Sequence, residues 1–122
     1  MNKIAILLSL FFFASQPIEA KRIYVEMEYD NHSIKLDYGT DKKPKTVKDS
    51  DGNDLKFKSL VGAFNYMSLQ GWELLETKSE VQGRGSAYTG YSRTSTNVYY
   101  IFYKEVSDEE LQNVVNKSYK SD

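Results

Sequence analysis

Residues 97–104, NVYYIFYK, carry an apolar or aromatic side chain at every position from 98 to 103. Successive side chains of a strand point to opposite faces. Val98, Tyr100 and Phe102 therefore line one face, and Tyr99, Ile101 and Tyr103 the other. A strand that is polar on neither side does not suit the solvated face of a sheet. It requires cover on both faces, from elsewhere in the chain, from a partner or from a ligand.

The remaining segments indicate how that cover is supplied. Residues 21–30, KRIYVEMEYD, alternate Ile23, Val25, Met27 and Tyr29 with Tyr24, Glu26 and Glu28, the pattern of a half-buried strand. A turn cluster at 30–33 leads into a second alternating run, Ile34, Leu36 and Tyr38, so 21–38 reads as a hairpin. Residues 39–45 read as a polar loop, and 46–57 as a short strand, an Asp51-Gly52 turn and a short return strand. Ser59 is a candidate N-cap for a helix carrying Leu60, Val61, Phe64 and Met67, stopped by Gly71. A strand at 72–81 follows, then a Gly/Ser/Tyr-rich connection at 82–96 with three of the seven glycines. Ser107 and Glu110 form a capping box, and Leu111, Val114, Val115 and Tyr119 give the last helix an apolar stripe. The fold class expected is α+β: a small antiparallel sheet with one central helix packed on it and a C-terminal helix. The terminal helix is expected to dock on the sheet face opposite the central one, leaving Tyr99 and Tyr103 as an aromatic platform wherever it falls short.

The first 20 residues read as a cleaved secretory signal: Lys3, an apolar run of 11 residues at 4–14, Pro17, and the small Ala20 at the cleavage point. The run is too short to span a bilayer, so the mature protein is expected to have no membrane segment. Residues 21–122 then form a single α+β domain, long enough for one modest core. The chain has no cysteine, which excludes disulfides, thiolate metal sites, a cysteine nucleophile and a lipoprotein anchor. The expected location is periplasmic or extracellular. Lys3 and Glu19 cancel, so the mature chain keeps the formal net charge of −1. That balance argues against nucleic acid as a partner. Lysines gather at 41–49, DKKPKTVKD, but Asp41 and Asp49 bracket them, and the run reads as a solvated loop.

Few residues offer chemistry. Asp49, Asp51 and Asn53 match the first positions of a calcium loop, but Asp54 stands where Gly is required and Leu60 where Glu is required. A hairpin turn is the better reading. His32 is the single histidine, so neither a two-histidine metal site nor a catalytic triad can be assembled, and no metal or cofactor is expected. Glu26, Glu28 and Glu73 are the carboxylates available for metal-free hydrolysis, though exposed strand carboxylates are ordinarily a solvated face. Residues 83–85, GRG, lack the third glycine and the helix of a dinucleotide fingerprint. Arg84, Tyr88, Tyr91 and Arg93 have the side chains to stack on, or hydrogen-bond to, a sugar or acidic glycan; the alternative is a connection whose tyrosines fold back on the surface. The two Asn-x-Ser sequons, at Asn31 and Asn116, matter only in a eukaryotic secretory route.

One stretch carries a resemblance. Asp49 to Gly52 with Phe57 and Ser59 form D-x-x-G-x-x-x-x-F-x-S; Ala63 and Asn65 to Met67 form A-x-N-Y-M; Gln70 to Glu73 read Q-G-W-E; and a Tyr-rich strand ends at Lys104. Over residues 49–104, about half the chain, this resembles a group of small exported proteins of Gram-negative gut bacteria with no assigned function. It is also similar to a shorter GWE-type bacterial domain of unknown function. The resemblance implies export and a small α+β domain, and supplies no catalytic residues. The expected function is a non-enzymatic binding or interaction module, monomeric or weakly dimeric, with a protein or glycan partner. Its expected ligand-binding residues are Arg84, Tyr88, Tyr91, Arg93, Tyr99 and Tyr103. The alternative is a structural accessory subunit pairing through its sheet face or edge, and behind it a small carboxylate-dependent hydrolase.

Overall fold

The structure is a computed structural model that describes residues 20–85 and 92–121. The expected signal segment, apart from Ala20, lies outside the described residues, as do Tyr88 and Tyr91. Five strands form one antiparallel sheet: β1 (Lys21–Asp30), β2 (Ser33–Asp37), β3 (Lys45–Thr46), β4 (Glu73–Gly85) and β5 (Ser92–Val106). Their order is β3-β2-β1-β5-β4. Helix α1 (Leu60–Leu69) crosses from the β3 side to β4, and helix α2 (Asp108–Ser118) follows β5. This is the expected α+β class.

The β1–β2 hairpin closes through Asn31 and His32, both left-handed at φ 50° and 66°, the geometry of a two-residue hairpin matching strand twist. His32 also ties this turn to the chain entering α1. Its backbone carbonyl accepts from Phe57 N at 2.7 Å, and its Nδ1 lies 3.1 Å from the Phe57 carbonyl. Residues 48–54 form the expected turn: Asp49 N donates to the Asn53 carbonyl at 2.7 Å, and Gly52 has φ 83°. The Asp49 carboxylate accepts from the backbone of Asp51 and Asn53. The return is a single antiparallel bridge, Lys48 to Asp54, flanked by Leu55 N donating to the Val47 carbonyl at 2.9 Å. In the lysine run, Lys45 pairs with Asp41 at 3.4 Å and Lys48 pairs with Asp54.

The core lies between α1 and one face of the sheet. Val25, Met27, Ile34, Leu36, Phe102, Ala63, Met67 and Trp72 are buried, and each large side chain among them contributes about 1.5–3 kcal/mol. Phe64 meets Phe102 at 5.8 Å and Tyr100 at 5.0 Å between ring centroids. Val61, expected in this stripe, is exposed. At about 100° per residue it falls off the face shared by positions 60, 63, 64 and 67. Ser59 is extended at the N-cap position, but its side chain makes no capping bond. At the other end the expected stop holds: Gly71 has φ 93°, and Trp72 behind it is buried.

One expectation needs correction. Residues 82–85 and 92–96, expected within a connection, are strand. β4 runs to Gly85 and β5 begins at Ser92, with Gly83 opposite Thr94 and Arg84 opposite Arg93. Ladder bonds to a neighbouring strand outweigh weak local β propensity. Ser107 Oγ accepts from Glu110 N at 3.1 Å, as the capping box requires, and α2 packs against β1 with Leu111, Val114 and Val115 half-buried and none of its residues fully buried. Val106 lies opposite Lys21, so the helix starts at one end of the sheet. Its 11 residues span about 16 Å, ending beside residues 39–42.

Candidate functional site

The sheet face away from α1 is the candidate site, because its aromatic side chains are half-buried or exposed rather than buried, and strand pairing decides its members. In the β1–β5 ladder Tyr24 stands opposite Tyr103, Glu26 opposite Ile101, and Glu28 opposite Tyr99. In the β4–β5 ladder Glu73 stands opposite Tyr103 and Lys78 opposite Tyr99. Directly opposed residues share a face, so these side chains gather on the side away from α1. None is buried, and Tyr24 is 52% exposed.

Charged groups are held over the rings. The Arg22 guanidinium lies 4.2 Å from the Tyr103 centroid, and the Lys78 ammonium 5.3 Å from that of Tyr99, within cation–π range. Lys78 also pairs with Glu26 at 3.3 Å and Glu80 at 3.4 Å. These bonds, led by the one to Glu26, raise its pKa. Tyr103 Oη donates to Glu73 Oε2 at 2.5 Å, and this bond, followed by partial desolvation, raises the Tyr103 pKa. Desolvation and then the charges of Glu28, Glu80 and Glu26 raise that of Tyr99. Both phenols are thus held as neutral donors. Beside this face, toward the end of β2, Tyr24, Glu26, Asp37, Tyr38 and Ile101 border a shallow depression of about 230 Å³. Flat rings, an aliphatic centre and flanking carboxylates and cations suit a ligand with both apolar and hydroxyl faces.

Of the residues expected to bind, the structure brings Tyr99 and Tyr103 onto this one face. Arg84 and Arg93 are cross-strand partners further along the same hairpin; Tyr88 and Tyr91 fall outside the described residues. The sequence reading missed Tyr24, Arg22 and Lys78 as members. Alternation in β1 and β4 was visible, but which strands become neighbours was not. Of the candidate carboxylates, Glu26 is engaged by Lys78 and Glu73 by Tyr103. Among the described residues, no group of three or more His, Cys, Asp or Glu side chains is placed to hold a metal ion. No helix among the described residues is long and apolar enough to cross a membrane. A scan against protein-family models finds no match to the chain, and a search of curated proteins finds no significant match.

Proposed function

We propose that this chain is an exported, non-enzymatic binding module whose binding surface is the open sheet face bearing Tyr24, Tyr99, Ile101 and Tyr103. The observation that carries this reading is a sheet face of half-buried or exposed tyrosines with Arg22 and Lys78 held over its rings. A face of rings and fixed charges favours a glycan, stacked on the tyrosines and hydrogen-bonded by the charged rim. Export is supported by Ala20, which is exposed immediately before β1 begins at Lys21, leaving a cleavage point accessible.

The test is a heteronuclear NMR titration of the protein with neutral and uronic-acid oligosaccharides. Shifts should follow β1 and β5 at Tyr24, Tyr99, Ile101 and Tyr103 and disappear in a Tyr99→Ala/Tyr103→Ala double variant. Shifts confined to other surfaces overturn the reading. Oligosaccharide cleavage lost on Glu26→Gln or Glu73→Gln would instead identify a hydrolase.

A second reading, an accessory subunit, is favoured by β4. It is an edge strand of 13 residues with Leu74, Leu75 and Val81 exposed, and an edge strand offers unpaired backbone groups to another chain. Concentration-dependent dimerisation that protects the β4 amides from exchange would select it.

A further inference from the structure

Lys104 differs from the other charged strand residues. Glu73 and Glu105, its nearest carboxylates in the ladders, belong to the opposite face: Glu73 is bonded to Tyr103, and Glu105 stands opposite Arg22. Lys104 lies instead on the α1 side, across from Ile23. Its ammonium sits 4.4 Å from the Trp72 ring centroid, and it forms no ion pair among the described residues. It borders a cleft of about 200 Å³ between the C-terminal turn of α1 and the sheet. Leu36, Met67 and Trp72 give the cleft apolar walls, while Tyr38, Tyr66 and Gln70 add two phenols and an amide. The Tyr38 and Trp72 rings are 6.1 Å apart.

A half-buried lysine with no carboxylate partner among the described residues, beside three further donor-capable side chains, offers charge and hydrogen-bond donors suited to an anion. We infer that the Lys104 cleft binds a small monocarboxylate, its carboxylate on the Lys104 ammonium and the tyrosine hydroxyls, its alkyl or aryl part against Trp72 and Met67. A carboxylate accepts several hydrogen bonds at once, and charge-assisted bonds are the strong ones. Burial, and then the neighbouring Tyr66, raise the Tyr38 pKa, which keeps that phenol a donor at neutral pH. The volume equals roughly seven waters at about 30 Å³ each, which limits the ligand to a short-chain or single-ring acid. A second cation is disfavoured by Lys104 itself. Tyr38, just past the end of β2, borders both this cleft and the depression beside the tyrosine platform, so the Lys104 variant, rather than Tyr38, separates the two proposals.

Trp72 is the only tryptophan, so its fluorescence reports this cleft without a label. The protein is titrated with butyrate and benzoate, and with butanol, benzyl alcohol and butylammonium at matched ionic strength. The carboxylates should give a saturable change in Trp72 emission, and the alcohols and the amine should not. Amide shifts should centre on Tyr38, Tyr66, Gln70 to Trp72 and Lys104. Lys104→Met should weaken carboxylate binding about tenfold or more, with the far-UV spectrum retained, and Lys104→Arg should restore part of it. If Lys104→Met does not fold, a Tyr38→Phe/Tyr66→Phe double variant decides, with weakening of at least about threefold expected. Equal responses to acids and alcohols, no saturable response, or unchanged affinity in the deciding variant overturns the assignment.

Discussion

Gly71 shows how much a single backbone conformation contributes to this fold. At φ 93° it adopts a region L side chains rarely enter, and a Cβ there would approach Lys104 Cε at 3.3 Å. The conformational cost dominates, since the lysine stem can shift. Gly71→Ala should therefore lower stability by about 1–2 kcal/mol, read from urea denaturation; an unchanged midpoint would show that the corner relaxes freely. Tyr103 makes a different contribution, one that depends on pH. Its bond to Glu73 raises the folded-state pKa above the ordinary tyrosine value of 10.0, so the folded chain holds that proton more tightly than the unfolded chain. The resulting stabilisation is fully present below about pH 10 and is lost as pH rises through the folded value. Tyr103→Phe should flatten part of the alkaline fall in the denaturation midpoint. Tyr38 and Tyr99, also raised, should retain the rest.

The two helices differ in what holds them. α1 has no side-chain N-cap bond and no charged residues in its terminal turns, so its stability comes from Ala63 and Met67 in the core. α2 only half-buries Leu111, Val114 and Val115, but it has a capping serine, three acidic residues in its first turn and Lys117 in its last. Those charges complement the helix dipole. Ser107→Ala should cost α2 about 1 kcal/mol, seen as faster amide exchange across Asp108–Ser118 with little change in β1 or β5. Global destabilisation instead would mean that α2 is integral to the core. The β4–β5 hairpin is the longest element pair and extends past β1, whose pairing with β5 reaches only to Glu28 opposite Tyr99. Beyond that point the hairpin is a two-stranded arm.

At the scale of the molecule, one apolar layer carries the fold. Phe102 is where β1, β4, β5 and α1 converge: it stands opposite Val25 and Leu74 and packs on Phe64. Phe102→Ala should cost about 3–5 kcal/mol. For a domain of this size that is a large fraction of total stability, and thermal denaturation should show a fall in Tm of many degrees or a loss of the cooperative transition. The opposite face contributes through cation–aromatic and ionic contacts at the surface, each worth little to folding. It is therefore free to be shaped for binding.

What the sequence determined by itself is what depends on neighbours a few residues apart. Alternation placed β1 over Lys21–Asp30, the Asp51-Gly52 pair marked its turn, Gly71 stopped α1, and Ser107 with Glu110 started α2. The doubly apolar run in β5 also announced a face needing explanation. Local chemistry misled at residues 82–85 and 92–96, where glycine and serine suggested a connection and cross-strand bonds made strand instead. Tertiary structure alone decided that β1 lies between β2 and β5, bringing Arg22 and Tyr24 to Tyr103, Lys78 to Tyr99, and Lys104 to Trp72. Those meetings join positions from about 20 to 80 residues apart. They follow from the strand order that buries Val25, Met27 and Phe102 together, a property of the whole chain's apolar surface that no short stretch encodes.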